Sequence, residues 1–340
     1  MGVSEQRSLK GMQHVQFGRT GLKVSRLCLG TMTFGFQCNK EESFAILDYA
    51  TEAGITFFDT ADVYPVGAPR EDMGRTEEII GEWMGSRREE FIVGTKCHYP
   101  TGPRPWDSGN SRKNIMRAVE GSLRRLNTDY IDLYQVHSWD VNTPIDETLQ
   151  AMDDLVRSGK VRYVGCSNFL SYQLARSVGR AELLRTVRFD SIQPRYNLLF
   201  RENERELFPL CAEEGIAVIP YNATAGGLLT GKHVPGPPPE NTRFTLGTAS
   251  GVYQERYWHD RMFDAIERMK PLAEQAGLSL AQMSVAWILR NPVITSPIVG
   301  ASIPSQLDDA IAAVDVVLDD DLMSKLHELT WEFRFGDNQR

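Results

Sequence analysis

Apolar positions along the chain repeat in two distinct ways. Residues 15–17 and 22–24 are short apolar stretches flanking a Gly-bounded turn at 18–21, which predicts a β-hairpin. Beyond it, short continuous apolar runs alternate with longer segments apolar on one side only. The short runs predict strands over 26–30, 55–59, 91–96, 131–137, 161–167, 191–193, 216–221 and 294–299. The amphipathic segments predict helices over 41–53, 77–84, 113–126, 145–157, 170–178, 204–214, 261–276, 280–290, 305–314 and 320–330. Thr76 stands as an N-cap, and Gly54, Gly85, Gly159 and Gly215 stand as stops. In 113–126, for example, Ile115, Val119, Leu123 and Leu126 share one face.

Strands apolar on both faces and separated by helices imply a parallel sheet. Eight strand-then-helix units favour a closed (β/α)8 barrel, the TIM barrel, over an open doubly wound sheet. The absence of GxGxxG after the first strand points the same way. Residues 232–260 carry VPGPPPENT and little periodicity, so they read as one long, functional loop. Extra helices end the chain. No linker separates two cores, so residues 1–340 read as one domain.

Composition narrows the function classes. Net charge is −8, with no basic block, which disfavours a nucleic-acid partner. The five cysteines form no CxxC pair and are odd in number, which disfavours a disulfide framework and fits a reducing cytoplasm. MGVSEQRSLK has no apolar leader, and no run reaches the roughly 18 apolar residues of a membrane helix.

A barrel of this kind places its active site at the C-terminal strand ends. Those ends carry Asp59 and Tyr64, then Lys96, Cys97 and His98, then His137, then Ser167 and Asn168, then Gln193 and Arg195, and finally Tyr221. They offer no His and carboxylate cluster suited to a catalytic metal. A buried Lys96 and a buried Asp59 must pair, because an isolated buried charge is costly. Lys96 beside Tyr64 would lower the phenol pKa and make Tyr64 a tuned general acid. His137 could donate a second hydrogen bond to a carbonyl oxygen. Taken singly, these are ordinary residues: a structural ion pair, a core histidine, a loop tyrosine, a Ser-Asn turn. Together, at neighbouring strand ends, they suit reduction of a C=O group.

The motifs FGRTGLKVS, LCLGTMTFG, GITFFDTADVY, TEEIIG, LRRLNTDYIDLYQVH, LVRSGKVRYVGCSNF, YNLLFR and GGLLTGK run through nearly the whole chain. Jointly they resemble the aldo-keto reductase superfamily, in its bacterial and channel-β-subunit-like branch. The family's catalytic tetrad falls on Asp59, Tyr64, Lys96 and His137. The resemblance implies NADPH, with NADH possible, lying extended over the barrel mouth. Ser167, Asn168 and Gln193 would hold the nicotinamide carboxamide, and Tyr221 would stack on its ring. Gly30, Thr31 and Met32 would approach by backbone. Leu228, Gly231, Lys232 and Arg243 would hold the pyrophosphate and belt the cofactor. Gly300, Ser302, Gln306 and Asp309 would meet the adenosine and its 2′-phosphate.

Two positions depart from the pattern: Ile303 replaces a basic residue near the 2′-phosphate, and Ala310 replaces an Asn at the adenine. Tyr221 to Thr224 replaces the usual YSPL. The insertion PVGAPREDMGRTEE after Tyr64 edges the pocket. Phe34, Trp106, Trp139, Tyr253 and Trp258 are candidate substrate walls, and Arg195 is a candidate anion contact or a structural ion pair. The implied partner is a small carbonyl substrate; the oligomeric state stays open. The alternatives are a cofactor-binding regulatory subunit and a reductase of unsaturated or keto nucleotide-linked deoxysugars.

Overall fold

The computed structural model describes residues 11–336. The MGVSEQRSLK segment and the end of the polar tail lie outside the described residues. Strands β1 (His14–Gln16) and β2 (Lys23–Ser25) form the antiparallel hairpin, with Val15 opposite Val24. Eight parallel strands follow in the order β10 (Ile298–Gly300), β3 (Cys28–Gly30), β4 (Phe57–Asp59), β5 (Ile92–Cys97), β6 (Ile131–Val136), β7 (Val161–Ser167), β8 (Ser191–Gln193) and β9 (Ala217–Val218). Backbone bonds close the last gap. The Thr295 N–H donates to the Val218 carbonyl and the Ile298 N–H to the Pro220 carbonyl, each at 2.8 Å. The sheet is therefore a barrel, and it has no free edge.

Strand pleating sends alternate side chains to opposite faces. One parity, with Cys28, Phe57, Leu133, Ala217 and Ile298, points into the barrel, where Phe17 of the hairpin plugs the floor. The other parity, with Leu29, Phe58, Val93, Tyr134, Val164 and Ile192, meets the surrounding helices in the larger core. Two residues beyond Phe57 on the inward parity comes Asp59; two beyond Leu133 comes Gln135, and then His137. The parity that fills the floor with apolar groups thus delivers polar ones to the mouth.

Helices α1 (Lys40–Glu52), α2 (Arg75–Met84), α3 (Arg112–Arg125), α4 (Ile145–Arg157), α5 (Ser171–Leu184) and α6 (Leu207–Glu214) follow the early strands. A capping box starts α1. Asn39 Oδ1 accepts from Glu42 N and the Glu42 carboxylate accepts from Asn39 N, an arrangement worth about 1 kcal/mol. Later come α7 (Ser250–Tyr257), α8 (Asp260–Gln275), α9 (Leu280–Arg290), α10 (Asp308–Ala313) and α11 (Asp320–Leu329). Among the described residues, no helix is long and apolar enough to cross a membrane.

Several boundaries differ from the sequence reading. Thr76 is not an N-cap: α2 begins after Gly74, and the buried Thr76 hydroxyl donates to the Phe34 carbonyl at 2.7 Å. Helix α5 runs to Leu184, where Arg185 turns left-handed. The strand expected over 294–299 narrows to β10, preceded by a single bridge from Ile294 to Val218. Helix α7 inside 232–260 was not legible. Its buried side chains, Tyr253 and Tyr257, make one isolated i,i+4 pair behind a Pro-rich stretch.

Candidate active site

The centre of the mouth is an ion pair. Lys96 Nζ lies 2.6 Å from Asp59 Oδ2 and 2.8 Å from the Thr60 carbonyl, and the lysine is wholly buried. Asp59 Oδ1 accepts from Gln193 Nε2 at 2.8 Å and from Gln135 Nε2 at 3.2 Å. Four strands, β4, β5, β6 and β8, thus converge on one carboxylate. Gln135 was missed in the sequence, although its place two residues before His137 puts it on the same inward parity.

Tyr64 and His137 stand over this pair. The Lys96 ammonium is 5.1 Å from the Tyr64 ring centroid, and the Tyr64 and His137 rings meet edge to face at 5.8 Å. The expectation that Lys96 lowers the Tyr64 pKa is corrected here. Burial, and then the Asp59 carboxylate, push the phenol well above its usual value of 10.0. Asp59 takes up the lysine's charge at 2.6 Å, so desolvation of the phenolate prevails. Tyr64 accordingly keeps its proton. Burial and the nearby Lys96 push His137 well below 6.5, so it is a neutral imidazole, and its Nδ1 is buried with no hydrogen-bond partner among the described residues. Tyr99, also missed, packs edge-on against His137 at 4.9 Å and is partly exposed.

One flank of the mouth is a continuous polar network. Ser167 Oγ donates to the Gln193 carbonyl at 2.7 Å and accepts from Asn168 Nδ2 at 3.1 Å. Asn168 Nδ2 also donates to the His137 carbonyl at 2.9 Å, and Tyr221 Oη donates to Asn168 Oδ1 at 2.8 Å. Burial raises the Tyr221 phenol to about 12, so it too stays protonated.

On the opposite flank, Gly30 pairs with Gly300, and Thr31 Oγ1 donates to the Asp59 carbonyl at 2.8 Å. The Ser302 N–H donates to Gln306 Oε1 at 2.8 Å and its hydroxyl to the same oxygen at 3.2 Å. Asp309 is half-buried nearby in the chain, and Ile303 is 51% exposed. Between the flanks the turn after β9 folds tightly, with Ala225, Gly226 and Gly227 all left-handed. Successive amides in such turns form anion-binding concavities. The Leu228 side chain is fully buried, so only its backbone faces this turn; Gly231 is left-handed and Lys232 is exposed. Arg243 Nη1 is buried with no hydrogen-bond partner among the described residues, and the guanidinium lies 5.5 Å from the Tyr253 ring centroid. This cationic, amide-lined strip suits a phosphate-bearing dinucleotide.

The long loop crosses the mouth. Thr248 N–H donates to the Gly67 carbonyl at 3.3 Å, in the insertion that follows Tyr64. Gly67 and Gly247 are both left-handed, and a Cβ on Gly247 would lie 2.1 Å from the Gly67 oxygen. Side-chain bulk is excluded at this contact.

The candidate substrate walls separate into two groups. Trp106 is 45% exposed at the rim, beside the cations of Arg104 and Lys113, and Trp139 packs edge-on against Phe169 at 5.1 Å. Tyr253 is buried, with its hydroxyl 3.9 Å from Met32 Sδ. Phe34 is wholly buried in the helix-facing core and has no face left for a substrate, a correction to the sequence reading. Trp258 is likewise corrected: it packs on Phe244 at 4.6 Å and Phe263 at 5.1 Å, and its indole N–H donates to the Gly236 carbonyl. These contacts hold the loop together. The Arg195 guanidinium lies over the Phe200 ring at 3.5 Å.

Residues 26–330 match the model of the Aldo/keto reductase family. The chain belongs to that family. It is 39% identical over 326 residues to the uncharacterized oxidoreductase YrpG of Bacillus subtilis, covering 94% of this chain and 96% of that protein. It is 37% identical over 311 residues to a probable voltage-gated potassium channel subunit beta of Arabidopsis thaliana, covering 90% and 92%. It is 34% identical over 310 residues to L-glyceraldehyde 3-phosphate reductase of Escherichia coli, covering 89% and 88%. As a member of this family, the chain is an oxidoreductase suited to carbonyl chemistry.

Proposed function

We propose that this aldo/keto reductase reduces an aldehyde or ketone to an alcohol with NADPH, and that Tyr64 is the general acid. The observation that carries the reading is the placing of Tyr64 and His137, edge to face at 5.8 Å, above a buried Lys96–Asp59 pair at 2.6 Å; burial favours the protonated phenol and the neutral imidazole. Reduced nicotinamide, when bound, supplies the hydride to the carbonyl carbon. Tyr64 gives its proton to the carbonyl oxygen. His137, being neutral, donates a hydrogen bond to that oxygen without competing as a charged acid. Asp59 fixes the Lys96 ammonium beneath the Tyr64 ring, whose centroid lies 5.1 Å from it. Ser167, Asn168 and Gln193 would orient the carboxamide, Tyr221 would stack on the ring, and Arg243, Lys232 and the turn after Tyr221 would hold the phosphates. Ser302, Gln306 and Asp309 would meet the adenosine. Five free, buried cysteines suit a reducing compartment, and we place the activity in the cytoplasm.

The test is NADPH oxidation by the purified chain with a panel of simple aldehydes, ketones and sugars, followed by absorbance. Turnover that disappears in Tyr64→Phe supports the reading. The channel-subunit relatives favour a second reading, a cofactor-binding subunit; tight NADPH binding with no turnover on the panel would select it.

A further inference from the structure

The Arg256 side chain is not used by any role given above. It lies on α7, the helix that the long loop lays across the mouth. Tyr253 and Tyr257 anchor that helix. The Tyr253 hydroxyl reaches Met32 Sδ, next to the end of β3, and the Tyr257 hydroxyl accepts from Asn197 Nδ2 at 3.0 Å and Asn222 Nδ2 at 3.4 Å, beyond the end of β9. Arg256 is three residues after Tyr253, so it shares the flank of the helix that overlies the opening. It is half-buried, and it has no hydrogen bond or ion pair among the described residues. A guanidinium drawn partly out of water usually acquires an anion.

Two cations flank Tyr253. The Arg243 guanidinium lies 5.5 Å from the Tyr253 ring centroid and also acts electrostatically on Cys38, whose Sγ touches the Ser302 carbonyl at 3.6 Å. Arg256 acts electrostatically on Tyr253 and on Tyr221, whose hydroxyl is bonded to Asn168 at the His137 end of the mouth. Three acids near that end are engaged. Asp59 holds Lys96, Asp107 pairs with Arg104 and Arg117, and Asp140 accepts from Asn110, Asn142 and Thr143. A second cation at the same end, Arg195, stacks on Phe200 and is not free.

We infer that Arg256 recognises an oxyanion, a phosphate or carboxylate, carried by the carbonyl substrate. This rests on the reductase reading above. Charge-assisted hydrogen bonds from a planar guanidinium are strong and selective for such groups. The substrate would reach the reacting end with its carbonyl toward Tyr64 and its anionic end toward α7.

The test compares two pairs of aldehydes on the full chain with NADPH: glyceraldehyde 3-phosphate against glyceraldehyde, and succinic semialdehyde against butanal. Wild type should favour the anionic member of at least one pair in kcat/KM. In R256Q that preference should fall on the order of ten- to a hundredfold, and R256K should restore part of it. Turnover of the neutral aldehydes reports that the variant is folded. No anionic preference in wild type, or an R256Q loss equal for both members of each pair, would overturn the inference. An R256Q effect on NADPH affinity in place of the preference would give the cation to the cofactor's phosphates, and overturn it as well. Should wild type reduce none of the four aldehydes, the reductase reading itself fails, a distinguishable outcome.

Discussion

Lys96 and Asp59 meet at 2.6 Å beneath the mouth, with the lysine wholly buried and the carboxylate nearly so. Removing one partner of such a pair strands the other charge. Lys96→Met should therefore abolish turnover and destabilise the fold by about 3–5 kcal/mol, somewhat less to the extent that the Gln135 and Gln193 amides still hold Asp59. Urea unfolding at neutral pH measures the loss. A variant as stable as wild type would mean that the pair contributes little to folding.

Tyr64→Phe removes the proposed proton donor and little else. Turnover should fall about 10²–10⁴-fold while NADPH still binds. Single-turnover kinetics together with tryptophan-fluorescence titration separate the two effects. More than half of wild-type turnover, with chemistry rate-limiting, would remove Tyr64 from the role.

The buried His137 sets a sign for pH dependence. Its folded pKa lies below the unfolded value of 6.5, so the unfolded chain takes up the proton first. Its contribution is fully present above 6.5 and is lost as pH falls below that value. His233 and His327 are shifted in the same direction, also chiefly by burial, and add to the slope. Stability should drop between about pH 7 and about pH 5, less steeply in His137→Gln. Equal slopes in denaturation midpoints for the two proteins would contradict a neutral buried imidazole.

Cofactor choice tests the cationic strip. NADPH should bind at least about tenfold more tightly than NADH, or ~1.4 kcal/mol. Arg243, whose buried Nη1 has no hydrogen-bond partner among the described residues, together with Lys232 and Ser302, should outweigh the neutral Ile303 and the acidic Asp309. Parallel fluorescence titrations decide it: equal affinities would refute the preference and make Ile303→Arg the change that should create it.

Gly247→Ala probes the contact between the long loop and the insertion after Tyr64. The new Cβ would lie 2.1 Å from the Gly67 oxygen, so the loop must lift. Cofactor release, measured by stopped-flow fluorescence, should quicken on the order of tenfold, equivalent to ~1.4 kcal/mol. Gly251→Ala, whose Cβ would meet nothing within 4 Å, is the control and should release at the wild-type rate.

The alternation of buried runs with amphipathic segments was enough to read the barrel, because both periodicities are local properties of the chain. The strand-end polar residues were legible for the same reason: in a parallel barrel, the last residues of every strand share one face. Gln135 was within reach of the same parity argument. Other features depended on atoms far apart in sequence. Whether Lys96 lowers the Tyr64 pKa turns on how much of its charge Asp59 takes up and how fully the phenol is desolvated, both properties of the packed mouth. The burial of Phe34, the turning of Trp258 toward Phe244, helix α7 within a Pro-rich loop, and the backbone contact of Gly247 with Gly67 likewise arise only when distant segments compete for the same space. Spacing along the chain carries local geometry, whereas burial and charge balance are set by the neighbours that folding supplies.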